Sequence, residues 1–399
     1  MTTVSPFRHV AYPVRVFAGD DALSNLSAAV RRTGAVRPFV VCGQSIANRT
    51  DLLDRVTEAL GEKPAGIFDG VQAGSPVPSV MQGAAMAQEA GADLIIAVGG
   101  GSAVVTARAI IIMLAEGGHP RDHATKYPEG RPPVSPRLMA PKIPNILVLT
   151  TPTTAATRAG TAVIDADTGH RLEMFDPKTR PAAVIWDSDA LLTAPGDLCI
   201  SASGSLFSGV ISALQAPRVN AMAAADLLSA LGLLVENIPL VRKTDDGSAR
   251  VNLCVASFMY NRAWDTGASG SALGVVSALA HSLDTRYPDC DHGAAYSITT
   301  GPGMKFNRDF NAAGQARVAD ALGVRERGDS DQDAADSAAA AVTGFFEAVG
   351  MPVRLRDVGV PAEGIPQIAE DALIDFGLHR NVRPVNGAEE LEAVLRSAW

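Results

Sequence analysis

An α/β domain built on a parallel sheet, followed by an all-α domain, is the fold class that the pattern of this 399-residue chain predicts. Three observations carry it. Short apolar, β-branched runs alternate with helical patterns as far as about residue 190, as βαβ units require. Past that point β-branched runs are few, and alanine-rich helical patterns follow one another. The length is that of two domains, and the change of pattern places them at 1–190 and 191–399.

The elements follow in order. Residues 38–42 (PFVVC) read as a buried strand, 52–60 as a helix and 65–68 as a second strand. Residues 77–90 read as a helix that starts near Pro76 and Pro78 and ends before Gly91. Residues 93–98 (DLIIAV) form the next strand, followed at once by Gly99-Gly100-Gly101-Ser102 and a helix over 103–114. A Pro-rich, charged loop covers 117–145, a length that marks functional loops. A strand over 146–151, a hairpin of 162–165 and 171–175, and a strand over 184–187 close the first half. In the second half helices are expected over 200–214, 221–240, 248–264, 271–283, 311–322, 331–349, 364–375 and 388–398. The stretch 331–340 (DQDAADSAAA) reads as an exposed helix.

Composition narrows the function. Hydrophobic residues make up 47% and charged residues 19%, a mix that can bury a core and excludes a disordered chain. A net charge of −9 argues against a nucleic-acid or polybasic membrane-surface binder. The most apolar stretches, 94–98, 109–114 and 146–149, are far short of the roughly 20 residues of a membrane span. The N-terminal residues lack the apolar run of a signal peptide. Cys42, Cys199, Cys254 and Cys290 are scattered with no CxxC pair, which points to a reduced, cytoplasmic setting.

The glycine turn carries the first chemical signal. Consecutive glycines between a strand and a helix let backbone N–H groups approach a diphosphate, and the helix N-terminus adds partial positive charge. The alternative is a tight turn without a ligand.

The wider context adds a resemblance. DLIIAVGGGSAVVTARAI resembles the GGGSxxDxAK cofactor segment of the iron-containing alcohol dehydrogenase superfamily, which has a dehydroquinate-synthase-like fold. TTPTTAATRAG resembles its TTAGTGSE segment, and VIDADTG followed by RPAAVIWDSDALLTAP resembles the end of its N-terminal domain. LGVVSALAHSLDTRYPDCDHGAAYSITTGPGMKFN resembles its segment with two metal-binding histidines, and NVRPVNGAEELEAVL its C-terminal end. The resemblance implies an N-terminal dinucleotide-binding domain, a helical C-terminal domain and an oxidoreductase acting on an alcohol/carbonyl pair. It places Gly99, Gly100, Gly101, Ser102, Thr151 and Thr154 at the cofactor, and implies a homodimer or larger assembly. Val105 stands at the family's acidic position, Arg108 at its Lys, and Arg158 at a glycine.

The end of the first expected strand bears on the nucleotide. A carboxylate there would accept from the ribose 2′-OH and repel a 2′-phosphate. The chain has Gly43, Gln44 and Ser45 instead, with Arg49 further on. The cofactor expected is therefore NADP, with NAD the alternative.

The family's metal is held by an Asp and a His four residues apart on one helix and by two later histidines. Residues 198–225, where the first pair should lie, contain no Asp, Glu or His. Ser277 replaces the third ligand, and His292 stands at the fourth. One ligand of four cannot make a tight site, so no metal is expected. The competing reading is a relocated site in the run Asp284, Asp289, Cys290, Asp291 and His292, which reads as one loop.

Without a metal, the substrate oxygen needs a proton donor or a positive field. His281 and His292 are the candidates, because imidazole both gives and takes protons near neutrality; the alternative is a polar niche. Arg158 and Lys305 are possible anion contacts; Arg158 could recognise a substrate carboxylate, and binding the cofactor phosphate or facing solvent are equal alternatives. Tyr287 and Asp291 are weaker candidates, Cys290 reads as incidental, and the other five histidines read as structural or exposed. The expected function is metal-independent NAD(P)-dependent hydride transfer with a carboxylated alcohol/carbonyl substrate, small or peptidic. Ala202-Ser203-Gly204 resembles the ASG segment of maleylacetate reductases, so a C=C reductase is one alternative. A peptide-modifying (daptide-type) dehydrogenase, which oxidises a C-terminal threonine with loss of CO2, is another. A non-catalytic nucleotide-binding partner protein is the third.

Overall fold

The computed structural model describes all residues except 1–6, 8, 129, 130, 132, 166, 169 and 266–271. The chain forms two compact units: residues 12–195 with 243–254, and residues 196–242 with 255–399 and the first eleven residues.

The first unit is built on a six-stranded sheet, every neighbouring pair parallel. Its strands are β1 (Arg15–Gly19), β2 (Pro38–Cys42), β3 (Gly66–Phe68), β4 (Leu94–Gly99), β5 (Asn145–Leu149) and β8 (Ala183–Asp187), in the order β1-β8-β5-β4-β2-β3. Between β5 and β8, β6 (Gly160–Ile164) and β7 (Arg171–Phe175) form the expected antiparallel hairpin. The unit's helices are α1 (Leu26–Thr33), α2 (Gln44–Arg49), α3 (Leu52–Leu60), α4 (Val77–Glu89), α5 (Gly101–Glu116), α6 (Pro120–His123) and α7 (Ser188–Leu192). The central strands β2, β4, β5 and β8 are buried at every residue. That is why they read as continuous apolar runs rather than alternating ones. On one face Val40, Ile96, Val148 and Ile185 pack with Leu26, Leu52 and Val56 in a single core. Full burial of each such side chain is worth about 2 kcal/mol.

The sequence reading missed β1. It is an edge strand, half exposed, and its RVFAG lacks an apolar run. The 117–145 segment is not structureless either. It contains α6, started by a His119 capping box, and Lys126 and Val134 form a β-bridge. Its ends are fastened by ion pairs. Arg121 grips Asp165 with two bonds of 2.6 Å. The fully buried Lys142 ammonium lies 2.6 Å from Glu116 and 3.0 Å from Asp176.

The second unit is helical: α8 (Gly196–Leu214), α9 (Ala221–Asn237), most of α10 (Ser248–Asp265), α11 (Gly274–Arg286), α12 (His292–Leu322), α13 (Asp331–Ala348), α14 (Ile365–Leu373) and α15 (Ala388–Ser397). Three expectations are corrected here. Residues 292–310 are helical, so α12 runs 31 residues, with a break at Asn311. Gly301, Pro302 and Gly303 oppose a helix by propensity, but packing overrides them. A Cβ at Gly301 would lie 2.2 Å from the Thr343 hydroxyl, and one at Gly303 would lie 2.4 Å from Val276. Only glycine lets α12 approach α13 and α11 this closely. The start of α13 is not simply exposed: Ala334, Ala335, Ala338 and Ala339 are fully buried. Their small side chains form the face on α12.

The third correction concerns hydropathy. Among the described residues, two helices are long and apolar enough to cross a membrane by length and composition: α8, with mean hydropathy 1.4, and residues 221–240, with mean hydropathy 1.5. Interspersed Gly, Ala and Ser hid them from a search for unbroken apolar runs. In α8 the apolar window is 67% buried within the protein, which accounts for its hydropathy as that of a core helix.

Candidate active site

In the first unit, β3 and β4 leave β2 in opposite directions, so the sheet order reverses between β2 and β4. Ligands of open parallel sheets bind outside the carboxyl ends of the strands at such a switch point. Gly43, Gln44 and Ser45 follow β2 there, at the start of α2, and Gly99, Gly100, Gly101 and Ser102 follow β4, at the start of α5. Gly99 has φ 142°, closed to other residues. A Cβ on Gly100 would sit 2.7 Å from the Thr151 hydroxyl, and one on Gly101 would sit 3.0 Å from the Thr153 hydroxyl. The bare turn and the hydroxyls after β5 thus make a cradle that any larger residue would fill. This donor set fits a dinucleotide diphosphate. Gln44, Ser45 and Arg49 are exposed, and no acid stands at residues 43–45.

The segment after β5 is held from below. Arg108, 2% exposed, donates to the carbonyl oxygens of Gly160 at 2.6 Å and Ala155 at 2.8 Å. Arg180 donates to the Thr157 carbonyl at 2.6 Å. Burial, and then the like charges of Arg180 and Arg158, pull the Arg108 guanidinium down to about 9. Arg158, half-buried on the loop that contains Thr151 and Thr154, is thus one of two guanidiniums whose charge reaches Arg108.

The second unit brings His281 and His292 together. Their rings are nearly parallel, with centroids 6.2 Å apart. His281 lies on α11; its Nδ1 is 3.0 Å from Asp375 Oδ2, and its Nε2 is 3.4 Å from the Tyr296 hydroxyl. His292 opens α12, and its Nδ1 is 2.6 Å from Asp284 Oδ2. Tyr296, one turn further on, lies edge-on to His292 at 4.9 Å and to His281 at 6.4 Å. Phe376 packs on His281 from another side. Each imidazole is therefore oriented by its own carboxylate, and one phenol touches both.

The run read as one loop is split between elements. Asp284 is on α11 and His292 on α12. Asp291 is the N-cap of α12, accepting from the Ala294 N–H at 2.9 Å and from the Ser201 hydroxyl at 2.6 Å. Cys290 is buried, and burial, with the charges of Asp291 and Asp284, pushes its thiol up to about 12. The Tyr287 hydroxyl lies against Gly364. Lys305 is on α12, 13 residues beyond His292, about 20 Å along the helix. Ser203 bonds back to the Cys199 carbonyl, and Gly204 packs on Met351, so the ASG segment is spent on helix packing. Asp375 and Tyr296 were missed by sequence reasoning. No motif marks Asp375, 94 residues from its partner. Tyr296 could have been found from its position one helical turn after His292.

A metal is implied by the family resembled, and the residues present do not fit one. Among the described residues no group of three or more His, Cys, Asp or Glu side chains is placed to hold an ion. The helix that should supply the first two ligands, α8, has no Asp, Glu or His beyond Asp197, and its Cys199 is buried.

A bare glycine turn at a sheet switch point and two carboxylate-backed histidines in a helical unit are what the two units offer for chemistry. Comparison with known proteins gives the family. The model of iron-containing alcohol dehydrogenase matches residues 13–188, and that of the C-terminal region of the Fe-containing alcohol dehydrogenase family matches 206–399. The chain belongs to the iron-containing alcohol dehydrogenase family and is an enzyme of the dehydrogenase and reductase class. It is 27% identical over 392 residues to lactaldehyde reductase of Escherichia coli strain K12, covering 96% of this chain and 97% of that protein. A solved structure of a 1,3-propanediol oxidoreductase matches with a TM-score of 0.86 at 25% identity, covering 99% of this chain and 100% of that one. Maleylacetate reductase from Agrobacterium tumefaciens shares the fold, with a TM-score of 0.77 at 20% identity over 99% of this chain and 98% of that one.

Proposed function

We propose that this enzyme transfers hydride between NADP and a carboxylated alcohol/carbonyl substrate without a resident metal. The observation that carries this reading is the pair of histidines, each backed by a carboxylate, in a family member whose metal-ligand helix has lost its ligands.

When bound, the nicotinamide cofactor supplies the hydride acceptor or donor. The N–H groups of Gly100, Gly101 and Ser102 would hold the diphosphate, with the hydroxyls of Thr151 and Thr153 beside it and Thr154 next along the same loop. Gly43, Gln44 and Ser45 leave room for a 2′-phosphate and carry no carboxylate to repel it, although the charge of Asp69 reaches Cys42 beside them. Arg158 recognises the substrate carboxylate. His281, with Nδ1 fixed by Asp375, gives or takes the proton of the substrate oxygen through Nε2. Tyr296 extends that route by one hydroxyl. His292, when protonated against Asp284, supplies the positive field that a metal gives elsewhere.

The test is made on protein purified without chelator. Elemental analysis is combined with fluorescence titrations of NADPH and NADH, then with turnover of a panel of oxo acids. Substoichiometric metal, tighter NADPH than NADH binding and reduction of an oxo acid are the expected results. Stoichiometric iron or zinc would overturn metal independence. Failure to bind either nucleotide would favour the non-catalytic alternative. Reduction of a conjugated C=C bond would move the assignment to the maleylacetate-reductase type.

A further inference from the structure

Lys305, which lies far along α12 from the histidines, lines a groove of its own. The groove, of about 360 Å³, lies wholly within the helical unit. That volume is in the range of small-molecule sites. Four segments converge on it: α12, the end of α13, residues 353–356 and the C-terminal turn.

Its charge is the unusual feature. Lys305, Arg354, Arg356 and Arg396 line it, against a single acidic side chain, Glu347. This concentration of cations stands on a chain whose net charge is −9. Nothing nearby accounts for all four. Arg396 has an i,i+4 partner in Glu392 at 3.2 Å. Arg356 stacks on the Trp399 ring, 4.7 Å from its centroid, and donates to the Trp399 carbonyl oxygen. Among the described residues neither Lys305 nor Arg354 forms an ion pair. The stacking holds the Arg356 guanidinium plane in place, which lowers the entropy cost of using its remaining N–H groups. Pro302 and Val353 supply apolar wall. Three cations from two separate segments and one from α12 therefore face one cavity whose lining holds a single acidic side chain. Like charges so gathered repel, and a bound anion relieves that repulsion.

We propose that this groove binds a small multivalent anion, a phosphate compound or a polycarboxylate, at a site separate from the histidine pair. Ser297, on the groove, follows Tyr296, on the histidines, so the two sites occupy different faces of the same helix.

The test is calorimetric titration of the full chain at low salt with inorganic pyrophosphate and, separately, with citrate. The two arms distinguish phosphate from carboxylate recognition. Wild type, the double variant Lys305→Gln/Arg354→Gln and the control Arg158→Gln are compared, with circular dichroism to verify folding. Both groove side chains are exposed, so the double variant keeps the core. The expected result is one site for at least one anion, weakened at least tenfold in the double variant and unchanged in Arg158→Gln. The proposal is overturned if neither anion binds, if the double variant binds as wild type does, or if binding is lost with Arg158→Gln instead.

Discussion

Asp375 Oδ2 lies 3.0 Å from His281 Nδ1, across 94 residues of sequence, and both side chains are largely buried, 11% and 12% exposed. A carboxylate in that position selects the tautomer with the proton on Nδ1 and leaves Nε2 to exchange protons. Asp375 is a positioning residue. Asp375→Asn should lower kcat by about tenfold or more with KM little changed, because the amide supports the other tautomer as well. It should also displace the pH–rate profile, which a purely structural change would not. A steady-state pH series on both proteins checks this.

Gly100 faces Thr151 across a gap that a Cβ would close to 2.7 Å. Gly100→Val should weaken nicotinamide nucleotide binding at least tenfold, while the unfolding temperature falls by only a few degrees. Fluorescence titration and a thermal scan separate the two effects. Equal nucleotide affinity in the variant would remove the turn from the cofactor site.

The contact between α8 and α12 should be far less tolerant. A Cβ at Gly293 would lie 2.2 Å from the Ser201 carbonyl oxygen. That neighbour is backbone and cannot step aside. Gly293→Ala should destabilise by about 1–3 kcal/mol, as overpacking does. Gly232, in the middle of α9, has nothing within 4 Å of its would-be Cβ. Gly232→Ala should stabilise by about 0.5–1 kcal/mol through helix propensity and the unfolded chain. Denaturant titration of the two variants tests both signs.

Acid should loosen the 117–145 segment. The Lys142 hydrogen bond holds the Glu116 carboxyl below its usual range, and Arg121 does the same for Asp165. Both folded values are depressed, so their contribution is complete above the unfolded carboxylate range near pH 4. It is lost as the pH falls through the lower folded values. The protection of amides in this segment, taken relative to the intrinsic exchange rate at each pH, should therefore fall as the pH drops below about 4, ahead of β4 and β5. Uniform loss across the unit would count against this account.

Sequence legibility followed burial. PFVVC, DLIIAV and the run before Thr150 are central strands sealed on both faces, so their apolar runs announced them. RVFAG, at the edge, has no such constraint. The turn at Gly99–Ser102 was legible because its chemistry lies in consecutive residues. His281 and His292 were legible as a pair because a motif spaced them. Asp375 and Tyr296 complete that pair through tertiary packing, and no local pattern records it. The helix through Gly301-Pro302-Gly303 was hidden because its glycines answer to Thr343 and Val276 rather than to local propensity.

All four cysteines are buried, and desolvation raises the thiols of Cys42 and Cys290 to about 12. At pH 8 almost none of either thiol is thiolate, so the native chain should resist alkylation and air oxidation. Cys42 and Cys254 belong to the sheet unit, Cys199 and Cys290 to the helical one. Each unit thus carries two silent reporters of its own opening. A thiol reagent followed by peptide mapping would record which half of the enzyme unfolds first, with no label added and no residue changed.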